Sequence, residues 1–209
     1  VKTGRIRRTA AFYEKLKDKR FAEELSDLTE YGICRYHDLY ADHDENNLVL
    51  YQKYSRKDVC RILNWAKDDS ATVYGYRIKY NTCPIFVTYE KSDDISDSTK
   101  YLDEFEKIGT DPIIYSNKIF SWMTRSKVKQ ESPEAQELIH AKENGLKILL
   151  FLKKSDGEGT DFYYMGEAEP VKWEETTILN DKKQILPIMN FKLELKKEVR
   201  KDIFDYFTA

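Results

Sequence analysis

Tyr74 and Tyr76 stand two apart in a β-rich run and so share one face of a strand, while Gly75 between them leaves the opposite face open. A later run, Asp161-Phe162-Tyr163-Tyr164, repeats the pattern, with Asp161 and Tyr163 on one face and Phe162 and Tyr164 on the other. Flat rings at this spacing can sandwich a planar base turned out of its stack, and a carboxylate beside them can accept from an exocyclic amino group. The same spacing also suits tyrosines that pack a barrel with their hydroxyls at its rim, and taken alone it favours that packing.

A second constellation points to hydrolysis. Asp181 followed by Glu194-Leu195-Lys196 fits a loose Asp … Glu-x-Lys arrangement, in which two carboxylates hold Mg²⁺ and a lysine steadies the attacking water. Strand alternation in FKLELKK accounts for Glu194 and Lys196 equally well as outward-facing residues. Cys34, His37 and His43 are the right donors for zinc but lack a fourth partner, and Cys83 has no base beside it. GxxxxGK[ST], GxGxxG and HExxH do not occur, and the only glycine cluster, Gly157-Glu158-Gly159-Thr160, is too acidic to cradle phosphate.

The chain that must position these groups has 209 residues, 41% hydrophobic and 13% aromatic, enough for a core without staples. Three cysteines without a CxxC indicate neither a disulfide framework nor a zinc ribbon and fit a reducing, cytoplasmic setting. No apolar run is long enough for a bilayer, and the opening VKTGRIRR is expected to be a cut inside a longer chain. The formal net charge of −2 speaks against a surface that is basic throughout. Charge is segregated, however. Residues 1–20 hold eight Lys/Arg against two acids, and residues 118–130 hold Lys118, Arg125, Lys127 and Lys129 with no acid, a pattern of local basic faces or simply of solvated surface.

From Thr9 to Tyr31 the apolar residues recur at helical spacing, predicting one amphipathic helix or a broken pair ended by Gly32. A polar stretch, Asp42 to Asn47, then separates a helical connector (1–47) from the main domain (48–209). There LVLYQKY predicts a strand and RKDVCRILNW a helix capped by Ser55. TVYGYRIKY and PIFVTYE predict a hairpin, and Asp93 to Lys118 a long acidic loop. IFSWM is expected as a short strand, followed by SPEAQELIHAKENG as a helix with Ser132 as its N-cap and Gly145 at its end. LKILLFLKK, DFYYMGEAEPVKW and ILPIMNFKLEL supply three more strands, and EVRKDIFDYF a closing helix. Strands follow one another without alternating helices. The fold class is therefore α+β, a curved and mostly antiparallel sheet or barrel with flanking helices.

YQKYSRKDVCRILNW, TVYGYRIKYNTCPIFVTYEK, FSWMTRSK, ILLFLKKSDGEGTDFYYMGE and PIMNFKLEL … VRKDIFDYF occur in an order that resembles a known domain over residues 48–208. It is the domain found after the helicase motor of bacterial proteins that often begin with a phospholipase-D-like nuclease. The best-defined proteins of that architecture are type IV restriction enzymes, which destroy DNA carrying 5-methylcytosine or 5-hydroxymethylcytosine. The resemblance implies an SRA/PUA-like barrel that flips the modified base. It implies double-stranded DNA as partner, helicase and nuclease domains upstream, and a second copy as a further candidate partner. It further implies that this domain itself needs no cofactor and performs no catalysis, ATP and Mg²⁺ being expected for the full-length enzyme.

Chemistry and chain order then nominate roles. Two of Tyr74, Tyr76, Trp122, Tyr163 and Tyr164 sandwich the base, and Asp161 accepts from its amino group. Arg125 and Lys127 hold phosphates or fill the vacated stack, with Lys53, Arg56, Lys57 and Arg77 as secondary phosphate contacts. Burying one methyl contributes only about 0.8 kcal/mol, about fourfold, so welcoming the methyl cannot by itself reject plain cytosine. The alternatives are the nuclease built on Asp181, Glu194 and Lys196, and a dimerisation or motor-coupling domain that uses residues 1–47.

Overall fold

The computed structural model describes residues 7–65, 75–89, 104–110, 113–180 and 182–208, and the chain divides into two compact units, residues 1–43 and 44–209. In the first unit, α1 (Ala10–Lys15) and α2 (Lys19–Tyr40) are separately capped. The Thr9 hydroxyl accepts from the Phe12 N–H at 3.2 Å and the Asp18 carboxylate from the Phe21 N–H at 3.2 Å. This is the broken pair, but Gly32 does not end it. One glycine costs about 1 kcal/mol relative to alanine in a helix, too little to stop α2 eight residues short of Tyr40.

The second unit is a seven-stranded sheet in the order β2-β5-β6-β7-β4-β3, with β1 added against β6. Its strands are β1 (Lys53–Tyr54), β2 (Thr82–Thr88), β3 (Glu104–Thr110), β4 (Ile113–Met123), β5 (Lys147–Lys153), β6 (Phe162–Leu179) and β7 (Ile185–Leu195). Short helices flank them: α3 (Arg56–Ile62), α4 (Pro133–Ile139), α5 (Ala141–Asn144) and α6 (Lys201–Thr208). All pairings are antiparallel except β2 with β5. Among the described residues no helix is long and apolar enough to cross a membrane.

The two faces of the sheet are both covered, which explains why β5 is an unbroken apolar run. Ile148, Leu150 and Leu152 join Ile85, Phe120, Phe191 and Phe207 in the main core. Phe151 points the other way and stacks on Phe86 at 4.9 Å. The sheet curls into a half-barrel, as two ring contacts between its ends require. Tyr76, bridged to Ile85 of β2, meets Trp122 of β4 edge-on at 4.7 Å, and Tyr89, just past β2, lies 6.0 Å from Phe105 of β3. Register shifts in β6 opposite Leu150/Phe151 and at Pro170/Lys172 supply the bends.

Four local expectations need correction. In the described part of TVYGYRIKY, residues 75–80, the hairpin is reduced to single bridges, Tyr76 with Ile85 and Lys79 with Thr82, because β2 takes β5 as its continuous partner instead. LVLYQKY yields only the two residues of β1, since Tyr51 adopts φ +66° and turns the chain. The acidic stretch 93–118 contains all of β3 and the start of β4. The helix from Ser132 breaks at His140 into α4 and α5, although Gly145 closes it in the left-handed conformation.

Candidate functional site

Tyr76 and Trp122 come together as buried members of the main core, and of the two only Tyr76 lines the cavity beside them. Trp122 is fixed by its β4 position opposite Phe191 of β7, whose ring lies 5.8 Å away. Tyr76 is held from the other side by the bridge to Ile85 and by the Phe86 N–H, which donates to the Gly75 carbonyl at 2.6 Å. Gly75 has φ +76°, a backbone that other residues rarely adopt. Beyond these rings lies a cavity of about 400 Å³ lined by Tyr76, Arg77, Ile78, Arg125, Glu134 and Glu137.

The electrostatics of this cavity are unusual. Arg125 places its guanidinium 5.9 Å from the Tyr76 ring centre and pairs with Glu134, in the first turn of α4. The Tyr76 hydroxyl is buried beside the Glu134 carboxylate but makes no hydrogen bond of ordinary geometry among the described residues. Burial, and next the Glu134 carboxylate nearby, push this phenol well above its ordinary range, so it stays protonated and able to donate. Leaving such a group unsatisfied costs about 1–3 kcal/mol. Burial also pushes the Cys83 thiol upward, removing it as a nucleophile.

The loop after β4 is pinned rather than slack. Thr124 exchanges two bonds with Met189, its N–H donating to the Met189 carbonyl at 2.9 Å and its hydroxyl accepting from the Met189 N–H at 3.0 Å. Lys127, at φ +71°, donates its N–H to the Pro187 carbonyl at 2.7 Å, and the Gln130 N–H donates to Glu175 at 2.8 Å. The side chain of Lys127 is left exposed with no acid partner among the described residues.

The other nominated residues lie elsewhere. Tyr74 is outside the described residues. Tyr163 faces the main core but packs edge-on against Tyr206 and Phe207 of α6, with Lys53 over its ring at 4.5 Å. Tyr164 is on the opposite face, fully buried, with its hydroxyl donating to Asp44 at 2.6 Å. Asp161 is half-buried and accepts from its neighbour Thr160 at 3.1 Å. Arg56 lies over Phe162 at 4.8 Å and Phe86 at 5.4 Å, while Lys57 is exposed on α3. Arg77 alone of these secondary cations lines the cavity.

Of the hydrolytic constellation, Asp181 is outside the described residues. Glu194 pairs with Lys118 at 2.8 Å, and Lys196 with Glu167 at 2.8 Å and Glu45 at 3.3 Å. Among the described residues no three His, Cys, Asp or Glu side chains converge as a metal site. The residues that sequence reasoning missed are Glu134 and Glu137. Their only local signal was the Ser-Pro-Glu start of a helix, which says nothing about a tyrosine some sixty positions away.

Residues 48–207 match the family model described as Domain of unknown function (DUF3427), and the chain belongs to that family. No curated protein matches it. Among solved structures, it is similar to the DNA modification-dependent restriction endonuclease AspBHI, with a TM-score of 0.48 and 12% identity over 73% of this chain and 78% of that one. It is also similar to the sulfur binding and SRA domains of ScoMcrA complexed with phosphorothioated DNA (TM-score 0.44, 12% identity, 83% of this chain and 49% of that one). A third is KRYPTONITE in complex with mCHG DNA and SAH (TM-score 0.42, 9% identity, 74% of this chain). The chain spans half of the second of these and 33% of the third.

Proposed function

We propose that this chain is the DNA-reading domain of a modification-dependent restriction enzyme acting in the cytoplasm, and that it binds duplex DNA by receiving a flipped 5-methylcytosine or 5-hydroxymethylcytosine. The observation that carries the reading is the unsatisfied Tyr76 hydroxyl, buried beside Trp122 at a cavity whose volume falls in the roughly 300–1,000 Å³ range of small-ligand sites. A base entering there would meet a hydroxyl donor, the Arg125 guanidinium, and carboxylates on Glu134 and Glu137. These supply a donor for the cytosine ring acceptors and an acceptor for its amino group. Lys127, exposed on its pinned loop, would take a phosphate. The sequence resemblance over residues 48–208, to the target-recognition part of SauUSI, supports the same reading. Catalysis, with ATP and Mg²⁺, would then belong to domains upstream.

The test is a titration of the purified chain with fluorescent duplexes that differ only in one 5-methylcytosine, at one salt concentration. The modified duplex should bind more tightly, and Tyr76→Ala should abolish the difference. Lys127→Ala should weaken both duplexes together and reduce the salt slope by about 0.9. Equal affinity of the wild-type chain for the two duplexes would overturn the reading.

A further inference from the structure

β6 and β7 run on past the rest of their sheet. The β4 ladder with β7 ends at Met123↔Asn190 and the β5 ladder with β6 at Ile148↔Ala168, whereas β6 and β7 stay paired out to Leu179↔Ile185. From Glu175↔Met189 outward they form a two-stranded ribbon of five residue pairs, roughly 17 Å long. Its end is firmly stitched. The Asn180 side-chain oxygen accepts from the Gln184 N–H at 2.8 Å and the Lys182 N–H at 3.0 Å, and the Asn180 N–H donates to the Gln184 carbonyl at 3.0 Å.

The ordered end is apolar and cationic together. Leu179 and Ile185 face each other at the outermost pair, 53% and 69% exposed. Lys182 and Lys183 beside them are exposed, and neither has an acid partner among the described residues. Two-stranded ribbons are marginal in water alone, and this one is braced along its side by the loop that carries Arg125, Lys127 and Lys129, through the bonds to Met189, Pro187 and Glu175. Of the acids described nearby, Glu175 is engaged by that loop and Glu131 lies 3.9 Å from Lys129, leaving Glu174; Asp181, next to Lys182 in the sequence, is outside the described residues. The same loop reaches the Tyr76 ring through Arg125. Cavity and ribbon are thus joined by one cationic segment.

We propose that the ribbon end, Leu179 and Ile185 with Lys182 and Lys183, lies in the major groove of the duplex whose modified base enters the Tyr76 cavity, an inference that rests on the reading above. The major groove, about 12 Å wide, admits a two-stranded ribbon, and it presents thymine and 5-methylcytosine methyl groups to apolar side chains while phosphates flank it for the lysines.

The experiment combines affinity with cross-linking. Lys182→Ala/Lys183→Ala should weaken modified and unmodified duplexes alike, by roughly tenfold at moderate salt, and reduce the salt slope by about two. Ile185→Cys should form a disulfide with a thiol tethered at a pyrimidine C5, in the major groove, and not with one tethered at guanine N2, in the minor groove. Wild-type affinity in the lysine variant, or cross-linking to the minor-groove tether alone, would overturn the inference while leaving a modified-base preference intact. Equal wild-type binding to both duplexes, with both lost in the lysine variant, would instead sink the base-reading role and retain the ribbon.

Discussion

The molecule contains two clusters built of the same materials, aromatic rings with cations beside them, on opposite faces of one sheet. On one face, Phe86, Phe151, Phe162 and Tyr164 interlock at 4.9–5.2 Å with Arg56 and Lys153 over the Phe162 ring. On the other, Tyr76 and Trp122 meet at 4.7 Å with Arg125 over the tyrosine. The difference is in their polar atoms. The Tyr164 hydroxyl donates to Asp44, which also accepts from the backbone of Asn46 and Leu48. The Tyr76 hydroxyl ends at a cavity beside Glu134, without a well-formed hydrogen bond among the described residues. Residue type does not separate a core from a site; satisfaction of the buried polar groups, together with access, does.

The comparison breaks most readily by truncation on the sealed face. Phe162→Ala removes a ring that is 1% exposed and touches both Phe86 and Arg56, and should lower the stability by about 3–5 kcal/mol in urea titration. A loss below about 1 kcal/mol would mean that this face is not a packed core.

A matched pair of hydroxyl deletions sharpens the contrast. Tyr164→Phe strands the buried side of Asp44 and should cost about 1–3 kcal/mol of stability, with the preference for modified DNA unchanged in the folded protein. Tyr76→Phe deletes a buried hydroxyl that lacks a well-formed hydrogen bond, so stability should hold or rise, by no more than about 1–3 kcal/mol, while binding of the modified duplex weakens. If the two variants exchange these phenotypes, the assignment of core and site must be exchanged with them.

Much of this arrangement was legible from the sequence, and what was not has a physical reason. β5, β6, β7 and α6 follow from apolar runs and periodicity, because each buries enough residues to write a pattern. β3 was invisible because it is an edge strand in which Phe105 is the one buried residue among those described, which leaves no alternation to read. The opposite facing of Tyr163 and Tyr164 was also legible, being strand geometry alone. That Tyr76 lies against Trp122, and that Glu134 closes on Arg125, depend on how far the sheet curls, and local sequence does not encode that.

The smallest effect probes why the sealed face tolerates a lysine. Lys153 is nearly buried, with its ammonium 2.8 Å from Asp156, 3.2 Å from the Gly159 carbonyl and 5.2 Å from the centre of the Phe162 ring. The hydrogen bond and charge of Lys153 hold the Asp156 carboxyl below its ordinary range, against a slight opposing effect of burial. A carboxyl depressed in the folded state stabilises above its unfolded value, near pH 3.9, and that contribution fades as the pH falls through the folded value. Asp156→Asn should therefore lower stability by no more than about 1 kcal/mol at pH 7, since Asp156 is mostly exposed. The gap from wild type should narrow as urea titrations are moved from pH 5 toward pH 2. A gap that stays constant across that range would show that Asp156 acts by packing, and that the rings and the Gly159 carbonyl alone hold the Lys153 charge.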